Sequence, residues 1–77
     1  MTLNQLGKGQ KATITAIVCE GPLLQRLMAL GVLEGSTVSV TRKALGGDPI
    51  EIEVMGYSLS LRLEEARRVE VEIDKHG

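Results

Sequence analysis

Between Gly21 and Val40 the apolar positions change period, from one face of a helix to the alternation of a strand. At about 100° per residue, Leu23, Leu24, Leu27, Met28 and Leu30 share one arc of about 160°, with Gln25, Arg26 and Ala29 outside it. This predicts a short amphipathic helix. Pro22 suits its first position, where a missing N–H has no helical partner to lose. Gly31 is expected to take the left-handed position that closes the helix, with Val32 packing back on Leu27. Leu27, Met28 and Leu30 read as core. Leu23 and Leu24, near the start, read equally well as core or as docking surface. Glu34-Gly35 breaks the chain again before Thr37–Arg42, where Val38 and Val40 alternate with Thr37, Ser39 and Thr41 as a strand.

The rest of the chain reads as strands for that helix to sit on. Thr2 and Gln5 have capping-box spacing around Leu3, and Leu3 and Leu6 anchor one turn before Gly7-Lys8-Gly9. Lys11–Val18 is a strand with Ala12, Ile14, Ala16 and Val18 on one face. Lys43–Pro49 is a loop in which Pro49 holds Asp48 extended, and the parity of Leu45 argues for a bulge or for a strand ending near Arg42. A hairpin follows. A Gly56-Tyr57 turn would set Val54 opposite Leu59, Ile52 opposite Leu61 and Ile50 opposite Leu63, with Glu51 facing Arg62. Glu64–Arg67 forms a helical turn, and Val69, Val71 and Ile73 alternate in a last strand. The expected fold is mainly β, a small SH3-like barrel of about five strands. One short α-helix follows the first strand and a helical turn precedes the last, in a single domain over residues 1–77.

Composition narrows the function. With no Trp, no Phe and one Tyr, the core must be aliphatic, and an aromatic-lined groove for proline-rich peptides is excluded. The same lack of stacking platforms, with a net charge of −1, excludes nucleic acid. One Cys allows no internal disulfide and fits a reducing cytosol. No apolar run is long enough to span a bilayer, so a cytoplasmic location is expected. His76 stands in a polar tail with no acid or nucleophile positioned beside it, which leaves nothing to build a catalytic site. Cys19 lacks a second thiol or nearby His at metal-ligand spacing and reads as a small half-buried thiol. Glu51, Glu53, Glu70, Glu72 and Asp74 have the spacing of solvated strand faces, and two such rows side by side would bind a divalent cation weakly. Contact with another protein remains as the use that the residues permit.

Three segments resemble the successive signatures of the FeoA domain family: RLMALGVLEGSTVSV, ALGGDPIEIEV and YSLSLRLEEARRVEV. The matching positions run in order from Arg26, Leu27, Leu30 and Gly31 through Gly35 and Val38 to Gly47, Asp48, Pro49 and Ile50. They end with Leu59, Leu61, Arg62, Glu65 and Ala66. Gly46 departs from the pattern, where many relatives carry a bulkier residue. The resemblance implies an SH3-like barrel and a small cytosolic companion of FeoB, the ferrous iron transporter with a cytosolic GTPase domain. A similar domain ends diphtheria-toxin-repressor-type metalloregulators, whose other domains 77 residues leave no room for. The expectation is a non-enzymatic regulator that needs no cofactor and meets the membrane only through FeoB. Its contact residues would be Leu23, Leu24 and Arg26 on the helix and Gly47, Asp48 and Pro49 in the loop. The alternatives are a metal sensor or delivery protein using Cys19, His76 and the strand-face carboxylates, and a homodimer paired through the spare apolar arc.

Overall fold

Alternating aliphatic side chains build one antiparallel sheet of five strands, described for residues 1–74 by a computed structural model. The elements run β1 (Lys11–Ile17), α1 (Gly21–Ala29), β2 (Thr37–Lys43), β3 (Ile50–Val54), β4 (Tyr57–Leu61), α2 (Leu63–Ala66) and β5 (Val69–Ile73). The strand order is β4-β3-β2-β1-β5, so β4 and β5 form the two edges. Among the described residues no ladder joins these edges. α2 carries the chain from one edge to the other, and the N-terminal segment covers the outer side of β5, where the Val71 N–H donates to the Met1 carbonyl at 2.8 Å. The next residues form a 3₁₀ turn, Leu3–Gln5, in which Gln5 Oε1 accepts from the Thr2 N–H at 2.9 Å. The Thr2 hydroxyl donates to Asn4 Oδ1 inside the turn, and Thr2 and Gln5 form the predicted capping box. Leu3 and Leu6 are fully buried beneath it.

The core is aliphatic, and no polar or charged residue among the described ones is buried in it. Val38, Val40, Ile50, Ile52, Val54, Val69 and Val71 enter from the strands as alternation predicts. Full burial of each such side chain contributes about 1.5–3 kcal/mol before chain entropy is charged against it.

Two bulges shift the strands. Between Val40 and Arg42 the β2–β3 register slips, which is the bulge that Leu45's parity called for, and β2 runs on to Lys43. Between Ile14 and Ala16 the β1–β5 register slips as well, and this one overturns the predicted face of β1. Beyond the slip Ile17 packs against the core, while Val18 lies outside the strand and is exposed. One extra residue reverses the parity of everything after it.

The hairpin register also differs from expectation. Val54 faces Tyr57, Ile52 faces Leu59 and Ile50 faces Leu61, so the turn is Met55-Gly56 and not Gly56-Tyr57. Met55 (φ 55°) and Gly56 (φ 83°) are both left-handed, as a type I′ turn requires. A slip of two residues keeps every side chain on its face, so alternation could not separate the two registers. As a result Leu63 leaves the ladder for α2, Glu51 faces Ser60 and lies 3.8 Å from Arg42, and Arg62 lies 3.4 Å from Asp48.

α1 ends as predicted. The Gly31 N–H donates to the Met28 carbonyl (3.0 Å) and the Val32 N–H to the Leu27 carbonyl (2.9 Å), the paired bonds of a Schellman close. Gly31 has φ 88°, and Leu27 and Val32 are both fully buried. The Tyr57 hydroxyl donates to the Leu30 carbonyl, so the β3–β4 hairpin satisfies the end of the helix. Met28, read from its arc as core, is instead 49% exposed.

A Cβ on Gly31 would lie 2.8 Å from Tyr57 Oη, whereas one on Gly35, also at φ 88°, would meet nothing within 4 Å. Gly35→Ala is expected to cost about 1–2 kcal/mol of stability for its backbone alone. Gly31→Ala is expected to cost about 1 kcal/mol more, because it dislodges the hydroxyl from Leu30. The excess should shrink in a Tyr57→Phe background. Urea unfolding of the double-mutant cycle checks this, and equal costs at both glycines would refute it.

Candidate functional site

The apolar arc of α1 divides between two neighbours. Leu27 is buried and Leu23 and Leu30 pack beside it against the core, whereas Leu24 and Met28 turn to a surface groove with Ile17, Leu33 and Glu34. The two candidate leucines thus separate: Leu23 supports the core and Leu24 lines the surface. Leu33 was not legible as a surface residue, because it follows the helix stop and belongs to neither period.

Arg26 lies on the exposed side of α1, and its guanidinium pairs with the Glu65 carboxylate. Glu65 Oε1 also accepts from the Arg62 N–H at 2.9 Å, so one carboxylate caps α2 and ties it to α1. Asp48 reaches the same N-terminal end of that short helix. Its Oδ1 accepts from the Leu63 N–H at 3.1 Å. The helix arm and the loop arm of the predicted surface therefore meet at α2, through Arg26–Glu65 and Asp48–Leu63. Glu65 was missed as a site residue, although its place three residues after Arg62 was a capping signal in the sequence.

The loop holds itself in shape. The Gly47 N–H donates to the Ala44 carbonyl at 2.8 Å and the Ala44 N–H to the Pro49 carbonyl at 3.0 Å. Gly46 and Gly47 both have φ 81°, and the Asp48–Pro49 peptide bond is cis. Pro49 is exposed, and Leu45 at the apex is wholly so. At the far end of α2 the Arg68 guanidinium hydrogen-bonds Glu64 at 2.8 Å, and that bond and its charge hold the Glu64 carboxyl below its ordinary value. The stabilisation is present above the ordinary carboxylate range and is lost as pH falls through the lowered value. Both side chains are exposed, so solvent keeps it small.

Metal-ligating groups are not gathered. Among the described residues no three His, Cys, Asp or Glu side chains come close enough to hold an ion. The two carboxylate rows do not lie side by side: β2 and β1 separate β3, with Glu51 and Glu53, from β5, with Glu70 and Glu72. Three strand spacings separate the rows by about 14 Å. Asp74 accepts from the Thr13 hydroxyl at 3.0 Å. Cys19 is half-buried in a groove with Val18, Glu20, Leu23 and Arg68, and His76 lies outside the described residues.

Asp48→Ala leaves the Leu63 N–H without its acceptor and is expected to cost about 0.5–2 kcal/mol. Asp48→Asn keeps an acceptor oxygen and is expected to cost less. Equal losses in urea titrations would mean that the charge facing Arg62 matters here and the cap does not.

The model of the FeoA domain family matches residues 1–73. The chain is 34% identical over 73 residues to an Fe(2+) transport protein A/Fe(2+) transporter FeoB fusion protein of Porphyromonas gingivalis; the match covers 95% of this chain and 9% of that one. It is 32% identical over 73 residues to a putative Fe(2+) transport protein A of Campylobacter jejuni, covering 95% of this chain and 99% of that one. The chain therefore spans a small part of the fusion and nearly the whole of the stand-alone relative. A solved structure of Stenotrophomonas maltophilia FeoA complexed with zinc, described as a procaryotic SH3 domain protein, superposes with a TM-score of 0.83 at 30% identity. That likeness covers 94% of this chain and 89% of the other. On this match of sequence and of an SH3-like five-stranded fold, the chain belongs to the FeoA domain family.

Proposed function

We propose that this chain is a non-enzymatic accessory of ferrous iron uptake that acts by contact with the cytosolic GTPase part of a FeoB-type transporter. The observation that carries the reading is the fusion in Porphyromonas gingivalis, where a homologue of this domain shares one polypeptide with the transporter. Joining two partners in one chain keeps them at high effective concentration, which favours a contact of modest affinity. The proposed surface follows α1 and α2. Leu24 offers apolar area, Leu23 supports it from beneath, and Arg26, Gly47, Asp48 and Pro49 form the polar frame held together at α2. No helix among the described residues is long and apolar enough to cross a membrane, so the proposed place at the inner membrane face is reached through the transporter.

The zinc complex of the Stenotrophomonas relative favours a second reading, in which Cys19, His76 and carboxylates bind a metal ion. Equilibrium dialysis with ferrous iron and with zinc separates the two, and the contact reading expects no stoichiometric binding at micromolar metal.

Direct binding to the cytosolic part of FeoB from the same organism tests the proposal, with GTP analogue, with GDP and without nucleotide. Association is expected in at least one state, with an affinity that differs between GTP analogue and GDP. A folded protein that fails to bind in all three states would overturn it.

A further inference from the structure

The groove beside α1 has a composition that specifies what it receives. Ile17 at the end of β1, Leu24 and Met28 on α1, and Leu33 after the helix stop line about 370 Å³ of open space with a single charged group, Glu34, at the rim. The fold itself leaves these side chains without full cover. Leu27 is buried and Leu23 and Leu30 pack on the core, yet Met28, one helical turn from Leu24, is 49% exposed. Methionine is the residue best able to reshape an apolar surface around an incoming side chain.

Glu34 adds the second half of the specification. Asp48, Glu51, Glu64 and Glu65 lie in ion pairs, while Glu34 is one of six acidic residues that form none among the described residues, and it is the one that lines this groove. An apolar cleft edged by one unpaired carboxylate is complementary to an apolar side chain with a cation beside it.

We propose that this groove is the docking site for a basic amphipathic segment of the transporter, which seats a large apolar side chain between Leu24, Met28 and Leu33 and sets a Lys or Arg against Glu34. The proposal rests on the reading that the domain contacts FeoB, and it names the chemistry of that contact. The apolar anchor supplies affinity by leaving water, and the charge pair supplies orientation and a salt-dependent rate of encounter.

The test measures binding of the cytosolic part of the transporter to the full chain and to three variants with confirmed folding. Met28→Ser is expected to weaken binding roughly fivefold or more. Glu34→Lys is expected to weaken it about tenfold at low salt, with the loss shrinking as salt rises. Met55→Ser, at an exposed methionine that does not line the groove, should leave affinity unchanged. Methyl-labelled methionine gives an independent readout: the Met28 resonance should shift on titration while that of Met55 stays in place. Wild-type binding with equal affinity for Met28→Ser and Glu34→Lys, or with an unmoved Met28 methyl, overturns the groove and leaves the contact reading standing. Absence of binding by the wild-type chain overturns both.

Discussion

A helix of nine residues is too short to hold its shape in water, so α1 exists only where the barrel gives it a seat. Leu27 supplies that seat by entering the core, and the Schellman close at Gly31 turns Val32 into the same interior. Two polar ties add direction, with Arg26 reaching Glu65 on α2 and Leu30 receiving the Tyr57 hydroxyl from β4. The apolar anchor sets the depth of the helix and the ties set its rotation. Together they decide which of its leucines face inward.

This arrangement explains why the surface is divided as it is. An arc of about 160° is wider than one neighbour can cover, and the core takes the half that holds Leu23, Leu27 and Leu30. Leu24 and Met28 are left on the outer flank with Ile17 and Leu33. The polar residues around α2 act as a frame. Asp48 and Glu65 each satisfy an N–H at the start of that short helix, and so hold the glycine loop, α1 and the sheet edge in fixed relation.

Much of the fold was legible because alternation and helical spacing depend on local chemistry. The strands containing Val38, Ile52 and Val71, the helix from Gly21 and its stop at Gly31 all followed from period and capping. The failures in the strands share one cause, which is that a shift in register is invisible to the pattern on either side of it. The bulge after Ile14 brought Ile17 inward and Val18 outward, and the two-residue slip in the hairpin moved Leu61 into the pairing assigned to Leu63. Met28 was misplaced because helical spacing names a face and not how much of that face the neighbours cover. In the candidate site, Arg26 and Asp48 were found as family positions. Glu65 was a family position too, but that it and Leu63 are the partners of Arg26 and Asp48 emerged only once α2 stood between them.

Tyr57 is the sole Phe, Tyr or Trp residue, and its hydroxyl donates to the carbonyl of Leu30, the residue that caps α1. The near-ultraviolet signal of the whole molecule therefore originates from one ring at one joint. Lifting the helix breaks the hydrogen bond of the phenol and so alters its absorption and emission. The protein carries its own optical gauge of helix docking, placed there by the same hydrogen bond that finishes the helix.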